Sequence, residues 1–247
     1  MDGSGWAGPA KARPRSLLVR SAPERDGTWP ASLRNGKRSR PCLRAVWHLD
    51  EVPISALPLD ILPYLLPSRF VSSDRLAPFA EREFGSLPKG HQHVTAICSW
   101  LYENIDDTRG SSDEETTADE SLLKRAGVCR DLAYLGIAFC RALKIPARFV
   151  SCYAYGFEPC DFPAMFEAYL AGRWWLLNAT RQANLDGLVR IGVGRDAAEI
   201  GFAMPYGDME PTGMTIWIER AHNAGEPAQR TRDALSTEEP APNAGAG

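Results

Sequence analysis

The sequence predicts an α+β fold, with a cysteine-bearing helix packed on an antiparallel sheet. Three observations carry this reading. After Cys129 the apolar residues Leu132, Ala133, Leu135, Gly136, Ala138, Phe139 and Leu143 recur at helical spacing. After Pro146 the pattern changes to alternation, in Ala147 to Tyr153, Ala164 to Leu170 and Trp174 to Ala179. Between the last two runs, Ala171-Gly172-Arg173 supplies a tight hairpin turn. A helix followed by successive strands, rather than alternating with them, is the α+β arrangement.

The remaining elements follow in order. Met1 to about Arg44 is a poorly ordered leader, with few apolar residues and no sustained period. Ala45 to Leu49 suits a short strand. Ile54 to Leu66 is studded with Pro53, Pro58, Pro63 and Pro67, which forbid a long helix or a central strand, so an extended connector with a single helical turn is expected. Ser73-Asp74 caps a helix beginning near Arg75, with Leu76, Phe79, Ala80 and Phe84 inward and Gly85 as its stop. A second helix runs from about His91 to Asn104. His91 and His93 at its start lack metal-ligand spacing and are expected to be solvated or capping residues. Asp106 to Glu120 is a polar surface loop without calcium-loop spacing. A short helix from Ala118 to Arg125, with Leu122 and Leu123 inward, leads into Gly127. Lys144 lies in the last turn of the Cys129 helix and Pro146 ends it. Trp174 and Trp175 pack the sheet, one inside and one outside by alternation. Met214 to Glu219 is the expected fourth strand. The domain division is a leader over 1–50, a core over 51–220 and a disordered tail over 221–247, with both ends protease-sensitive.

Composition narrows the function. Hydrophobic residues make up 44% of the chain, enough for a real core. The net charge of −3 argues against nucleic-acid binding by the domain. It hides an asymmetry: Met1 to Arg44 holds ten Lys/Arg against three Asp/Glu, a net of +7, so the remainder carries −10. The six cysteines (Cys42, Cys98, Cys129, Cys140, Cys152 and Cys160) form no C-x-x-C pair and no disulfide framework, which suits reduced thiols in a cytoplasm. No apolar run approaches the length of a membrane span, and Leu17-Leu18-Val19 is too short for the core of a secretory signal. No metal or cofactor is expected.

Gly127-Val128-Cys129-Arg130-Asp131 places a thiol at a helix N-terminus. First-turn amides have no intrahelical partner, and the dipole there favours negative charge. A thiolate is stabilised at such a place, as nucleophilic cysteines require. The same residue could instead be a small buried hydrophobe. Asp131 complements the helix start and Arg130 pairs with a nearby carboxylate.

Longer stretches bear a resemblance. They are Leu62-Pro63-Tyr64-Leu65-Leu66-Pro67-Ser68-Arg69, the Gly127 to Asp131 motif, Phe139 to Arg148, Phe166 to Trp174, and Ile191 to Ala198. Over about Leu57 to Glu219 the chain resembles the transglutaminase-like superfamily with its papain-like core, in particular the bacterial transglutaminase-like proteins regarded as candidate cysteine proteases. Such relatives usually begin with a β-rich domain. Met1 to Val52 lacks its alternation, which predicts a truncated or divergent start.

The resemblance implies a Cys-His-Asp triad acting on a peptide or protein amide, with no cofactor, metal or membrane partner. Cys129 stands at the nucleophile. Pro163 stands at the histidine and Asn178 at the aspartate. Family members also often carry His where Tyr134 stands and Gly where Cys152 stands. Asparagine can still accept an imidazole N–H, but proline has no acid–base chemistry and no backbone N–H. His48, His91, His93 and His222 all lie outside the strand region. The expectation is therefore a catalytically impaired scaffold or a peptide-binding pseudoenzyme. The alternative is an active thiol peptidase or amidase that pairs Cys129 with another base.

Overall fold

The computed structural model describes residues 49–156, 162–183, 185–201, 216, 218, 235 and 236. Four helices and six strands follow in chain order among them: α1 (Ser73–Phe84), α2 (His91–Asn104), β1 (Asp106–Asp107), α3 (Ala118–Lys124), β2 (Ala126–Gly127), α4 (Cys129–Ala142), β3 (Ala147–Ala154), β4 (Ala164–Leu170), β5 (Arg173–Leu177) and β6 (Leu188–Gly194). The antiparallel sheet has the order β5-β4-β3-β6, and β1 and β2 form a separate parallel pair.

Helix α4 is buried along nearly its whole length because the apolar run wraps the helix rather than striping it. It packs on the face of the sheet that carries Phe149, Ala164, Phe166, Ala168, Trp175 and Leu177, with α1 and α2 on its outer side. The approach is close at Gly136, where a Cβ would stand 2.5 Å from the Phe166 ring. On the outer side, Phe139 meets Phe79, Phe84 and Trp100 at ring separations of 5.3–5.7 Å. The helix ends at Ala142, and Lys144 follows in the left-handed region at φ 66°, so the last turn stops short of Lys144.

Arg141 closes the far end of α4. It is 1% exposed and donates to Ala147 O, Leu66 O, Ser68 Oγ and Arg195 O at 2.7–3.1 Å. Burial draws its pKa down to about 10, so it stays charged at neutral pH. The neighbouring Asp196 is also buried, accepting from the Phe70 and Ala198 amides at 3.0 and 2.9 Å. One guanidinium and one carboxylate thus tie the start of β3 to the backbone of segments 66–70 and 195–198.

Several expectations need correction. The fourth strand of the sheet is β6, paired with β3; Gly192 and Gly194 interrupt its apolar alternation and hide it from a periodicity reading. Met214 to Glu219 lies outside the described residues apart from Ile216 and Ile218. The connector forms two 3₁₀ turns, Ile54–Ala56 and Leu62–Leu65, rather than one. It covers the second face of the sheet, so Trp174 is as buried as Trp175 and meets Tyr64 and Tyr169 at 5.1 and 5.2 Å. Leu123 is exposed, and the inward face of α3 is Ala118, Ser121 and Leu122.

His91 and His93 are buried rather than solvated. His93 joins Glu51 Oε1 at 2.7 Å and Phe84 O at 3.1 Å, partners 42 and 9 residues away that helix spacing could not reveal. Of the segment assigned to the leader only Leu49 and Asp50 are described: Leu49 is buried, and Asp50 O accepts from Ala171, next to the bridge between Glu51 and Leu170. From the segment assigned to the tail, Leu235 is buried and bridges Leu176 on β5.

Candidate functional site

The approach to Cys129 is built from the β1–β2 pair. Asp106 and Thr108 amides donate to Arg125 O and Gly127 O at 2.9 Å, which holds the chain extended until Val128. Asp131 then reaches back from the first turn of α4. Its Oδ2 accepts the Val128 amide at 2.9 Å and the Ser112 hydroxyl, and its Oδ1 accepts from Arg130 at 3.2 Å. Arg130 also donates to Asp113 O. Gly127 is required here, since a Cβ on it would lie 2.7 Å from the Asp131 Cβ. The expected roles of Asp131 and Arg130 therefore hold, with Asp131 itself as the carboxylate that pairs with Arg130.

Cys129 opens α4 and is half-buried. Its Sγ accepts the backbone N–H of Ala164, at the start of β4, at 3.5 Å. That contact brings the thiol against the Pro163-Ala164 peptide, so Cys129 and Pro163 stand together. Asn178 directly follows β5, and the β4–β5 register carried one step on sets it beside Met165. Pro163 and Asn178 thus lie at the same end of adjacent strands, on the end of the sheet that the α4 N-terminus abuts.

The polar atoms around these positions are directed into the backbone. Pro163 is buried and its carbonyl accepts the Cys152 amide at 3.2 Å. Asn178 Oδ1 accepts from the Thr180 amide, the Thr180 hydroxyl and the Arg181 amide at 2.9–3.1 Å, and its Nδ2 donates to Ala183 O at 2.9 Å. Asn178 therefore builds the turn after β5. Gln182 in that turn donates to Asp107 at 2.6 Å, and burial, reinforced by Asp131, raises the Asp107 pKa.

The other described cysteines differ from Cys129. Cys98, Cys140 and Cys152 are buried, and burial pushes Cys98 and Cys152 up to about 12 and Cys140 well above its ordinary value. Tyr134 is packed between Phe70 and Phe149 at 5.5 and 5.4 Å, and burial raises its pKa. On the second face of the sheet, Glu167 is buried against Arg148 at 2.6 Å and near Arg190 at 3.8 Å. Arg148 in turn lies 4.1 Å over Trp174. Among the described residues no group of three or more His, Cys, Asp or Glu is placed to hold a metal ion. No helix among them is long and apolar enough to cross a membrane.

Sequence reasoning placed Cys129 at a helix start but missed its hydrogen-bond partner. A backbone amide carries no residue signature, and only the strand register brings Ala164 to the sulfur. It also missed the Arg141 and Asp196 clasp. Their long separations from Leu66 and Phe70 leave no local pattern.

A thiol at a helix start, set against the end of an antiparallel sheet, defines the class of papain-like cysteine scaffolds. Residues 79–179 match the family model of the transglutaminase-like superfamily. A crystal structure of a candidate cysteine protease from Cytophaga hutchinsonii is 39% identical, with a TM-score of 0.66 over 77% of this chain and 67% of that one. The chain belongs to the transglutaminase-like superfamily. An uncharacterized protein of Mycobacterium leprae, ML0607, is 26% identical over 126 residues, which is 46% of this chain; the chain spans 45% of that relative's length. The periplasmic domain of TgpA from Pseudomonas aeruginosa, in crystals with ethylmercury, matches at 22% identity and a TM-score of 0.43, over 52% of this chain and 51% of that one.

Proposed function

We propose that this domain is a transglutaminase-like thiol scaffold, impaired in amide chemistry, that presents Cys129 to a peptide or protein ligand. The observation that supports this best is the Ala164 N–H on the Cys129 sulfur at 3.5 Å, with Pro163 next to it. Where a triad enzyme presents an imidazole, this chain presents a backbone donor. A donor of that kind lowers the energy of the thiolate, as the helix N-terminus does. It cannot take the thiol proton and return it to a leaving amine. Loss of that acid–base help costs roughly 10²–10⁴ in rate. The local bonding of Asn178 supports the same reading, because its side-chain oxygen already accepts three donors. The Cys129, Pro163 and Asn178 assignments, the core over 51–220 and a cytoplasmic setting for reduced thiols all belong to this proposal.

The test is turnover of a panel of peptides and simple amides by the wild type and Cys129→Ala. Little activity, changed little by the substitution, is the expected outcome. Robust wild-type turnover that vanishes in Cys129→Ala would overturn the impaired reading and require a base such as His48 or His222, both outside the described residues.

A further inference from the structure

We infer that the edge of β5 is a strand-addition site for extended peptides, and that the segment around Leu235 is its built-in ligand, seated in cis and exchangeable. The inference stands apart from the chemistry of Cys129.

Among the described strands β5 is the outermost on its side of the sheet, with β4 as its neighbour. An edge of this kind turns backbone N–H and C=O groups outward, where another extended chain can pair with them. The Leu176 amide is such a group. It donates to Leu235 O at 2.7 Å, in an antiparallel bridge that reaches across from a distant part of the chain.

The side chains fit the same pairing. Residues directly opposite each other in a ladder share a face of the sheet. Leu176 belongs to the apolar cluster with Val150, Cys152 and Met165, so the bridge sets Leu235 on that face. Leu235 is 5% exposed, and Ser236 beside it is buried as well. The sequence makes this burial selective. After Ile218 the chain consists of Ala, Gly, Pro and polar residues, and Leu235 is its one large apolar residue. A leucine set among Arg230, Arg232, Asp233, Glu238 and Glu239 has no core of its own to join. The β5 edge supplies one.

Two features make the seat exchangeable. The pairing uses main-chain groups, which any extended peptide offers, so selection rests on the position of one leucine-sized side chain. The described pairing is a single bridge, whereas β4 is laddered to β3 and to β5 along its length. A segment held in this way opens more often than the interior of the sheet. The ligand class is therefore an extended peptide with one leucine between small or polar residues, as Ala234 and Ser236 flank Leu235. Running antiparallel to β5, it sends the residues before its leucine toward Asn178, at the end of the sheet that the α4 N-terminus abuts.

The experiment uses the full chain as wild type, Leu235→Asp and Leu235→Ala, with a synthetic peptide of residues 229–241 as the probe. Hydrogen exchange read by NMR follows the Leu176 amide, with the β3 and β4 amides as internal controls. Burial of an unpaired charge is costly, so Leu176 should exchange roughly tenfold faster or more in Leu235→Asp, with a smaller gain in Leu235→Ala and the controls unchanged. Saturating peptide should return the Leu176 amide of Leu235→Asp to its wild-type rate, and a peptide carrying the same substitution should not. By fluorescence anisotropy the labelled peptide should bind Leu235→Asp roughly tenfold or more tightly than the wild type, where the tethered copy competes. Should Leu235→Asp also lose the control protection, Leu235→Ala decides by the same readouts. Equal Leu176 exchange in all three chains would overturn the inference, as would a peptide that leaves Leu176 of both variants unprotected. Equal affinity for wild type and variants would overturn the built-in ligand. Wild-type protection of Leu176 that rises with protein concentration would place the segment of a second copy on the edge and overturn the cis assignment.

Discussion

The two ends of α4 use polar groups in opposite ways. At the C-terminal end, the Arg141 side chain spends its donors on three backbone carbonyls and one hydroxyl, all within the fold. At the N-terminal end, Asp131 shapes the turn, and the thiol beside it accepts a backbone amide from the start of β4. The first end keeps every partner that holds the helix in place. The second holds a half-buried thiol against the start of β4. The framework and the candidate chemistry are thus held by different residues.

Removing Arg141 attacks the structural end and has the largest expected effect. In Arg141→Leu the carbonyls of Leu66, Ala147 and Arg195 lose a buried donor. The expected cost is about 3–5 kcal/mol, read by urea unfolding. If the comparison is right, the surviving folded fraction alkylates Cys129 at the wild-type rate. A parallel loss of thiol reactivity would show that the two ends are coupled.

Pro163→His with Asn178→Asp addresses the other end. An imidazolium beside Cys129 should raise its thiolate fraction and increase iodoacetamide reactivity at pH 6 by roughly tenfold or more. The urea midpoint should move little. The register supports delivery of the new side chain to the thiol, since a one-residue slip would turn the strand's side chains to the wrong face.

Gly136→Ala tests the contact midway between the two ends. The added methyl meets a Phe166 ring that is itself fully buried, so helix and sheet must separate or the ring must leave its rotamer. A loss of about 1–3 kcal/mol in urea unfolding is expected. Unchanged stability would mean that the packing there is loose.

The smallest effect lies in pH. Burial lowers the His91 pKa from its ordinary 6.5, so the unfolded chain takes up that proton more readily than the native one. Stability from this source is present above pH 6.5 and falls as the pH drops below it. Burial works against Glu51, but the His93 and Gly90 hydrogen bonds prevail and lower its pKa from 4.5. Its contribution is present above 4.5 and is lost as the pH falls through the native value. His91→Gln should flatten the decline between pH 7 and 5 and leave the steeper acid limb in place, as followed by thermal unfolding at each pH.

Much of the fold was legible because its helices and central strands are written in local periods. The starts of α2 and α4 follow from His91 and Cys129 with the apolar spacing after them, while α1 begins at Ser73, two residues before the expected Arg75, with Ser72 and not Ser73 as its cap position. What stayed hidden depends on distant partners. Trp174 alternates outward in sequence but is covered by a connector more than a hundred residues earlier. His93 is polar at a helix start, yet Glu51 gives it a buried partner. At the candidate site the place of Cys129 at a helix start was legible. The amide on the sulfur and the inward-turned bonding of Asn178 depend on register and turn geometry, which no residue type announces.

The Arg141 clasp also bears on how long the native state lasts. Its acceptors at Leu66, Ser68 and Arg195 lie 75, 73 and 54 residues away. Such contacts close long loops, and their entropy must be met before the guanidinium gains its partners. They are therefore expected to form after the main barrier to folding has been crossed. A group of that kind acts chiefly on the rate of unfolding. Arg141→Leu should refold from urea at close to the wild-type rate and unfold much faster, so the residue sets the lifetime of the folded molecule more than the ease of reaching it.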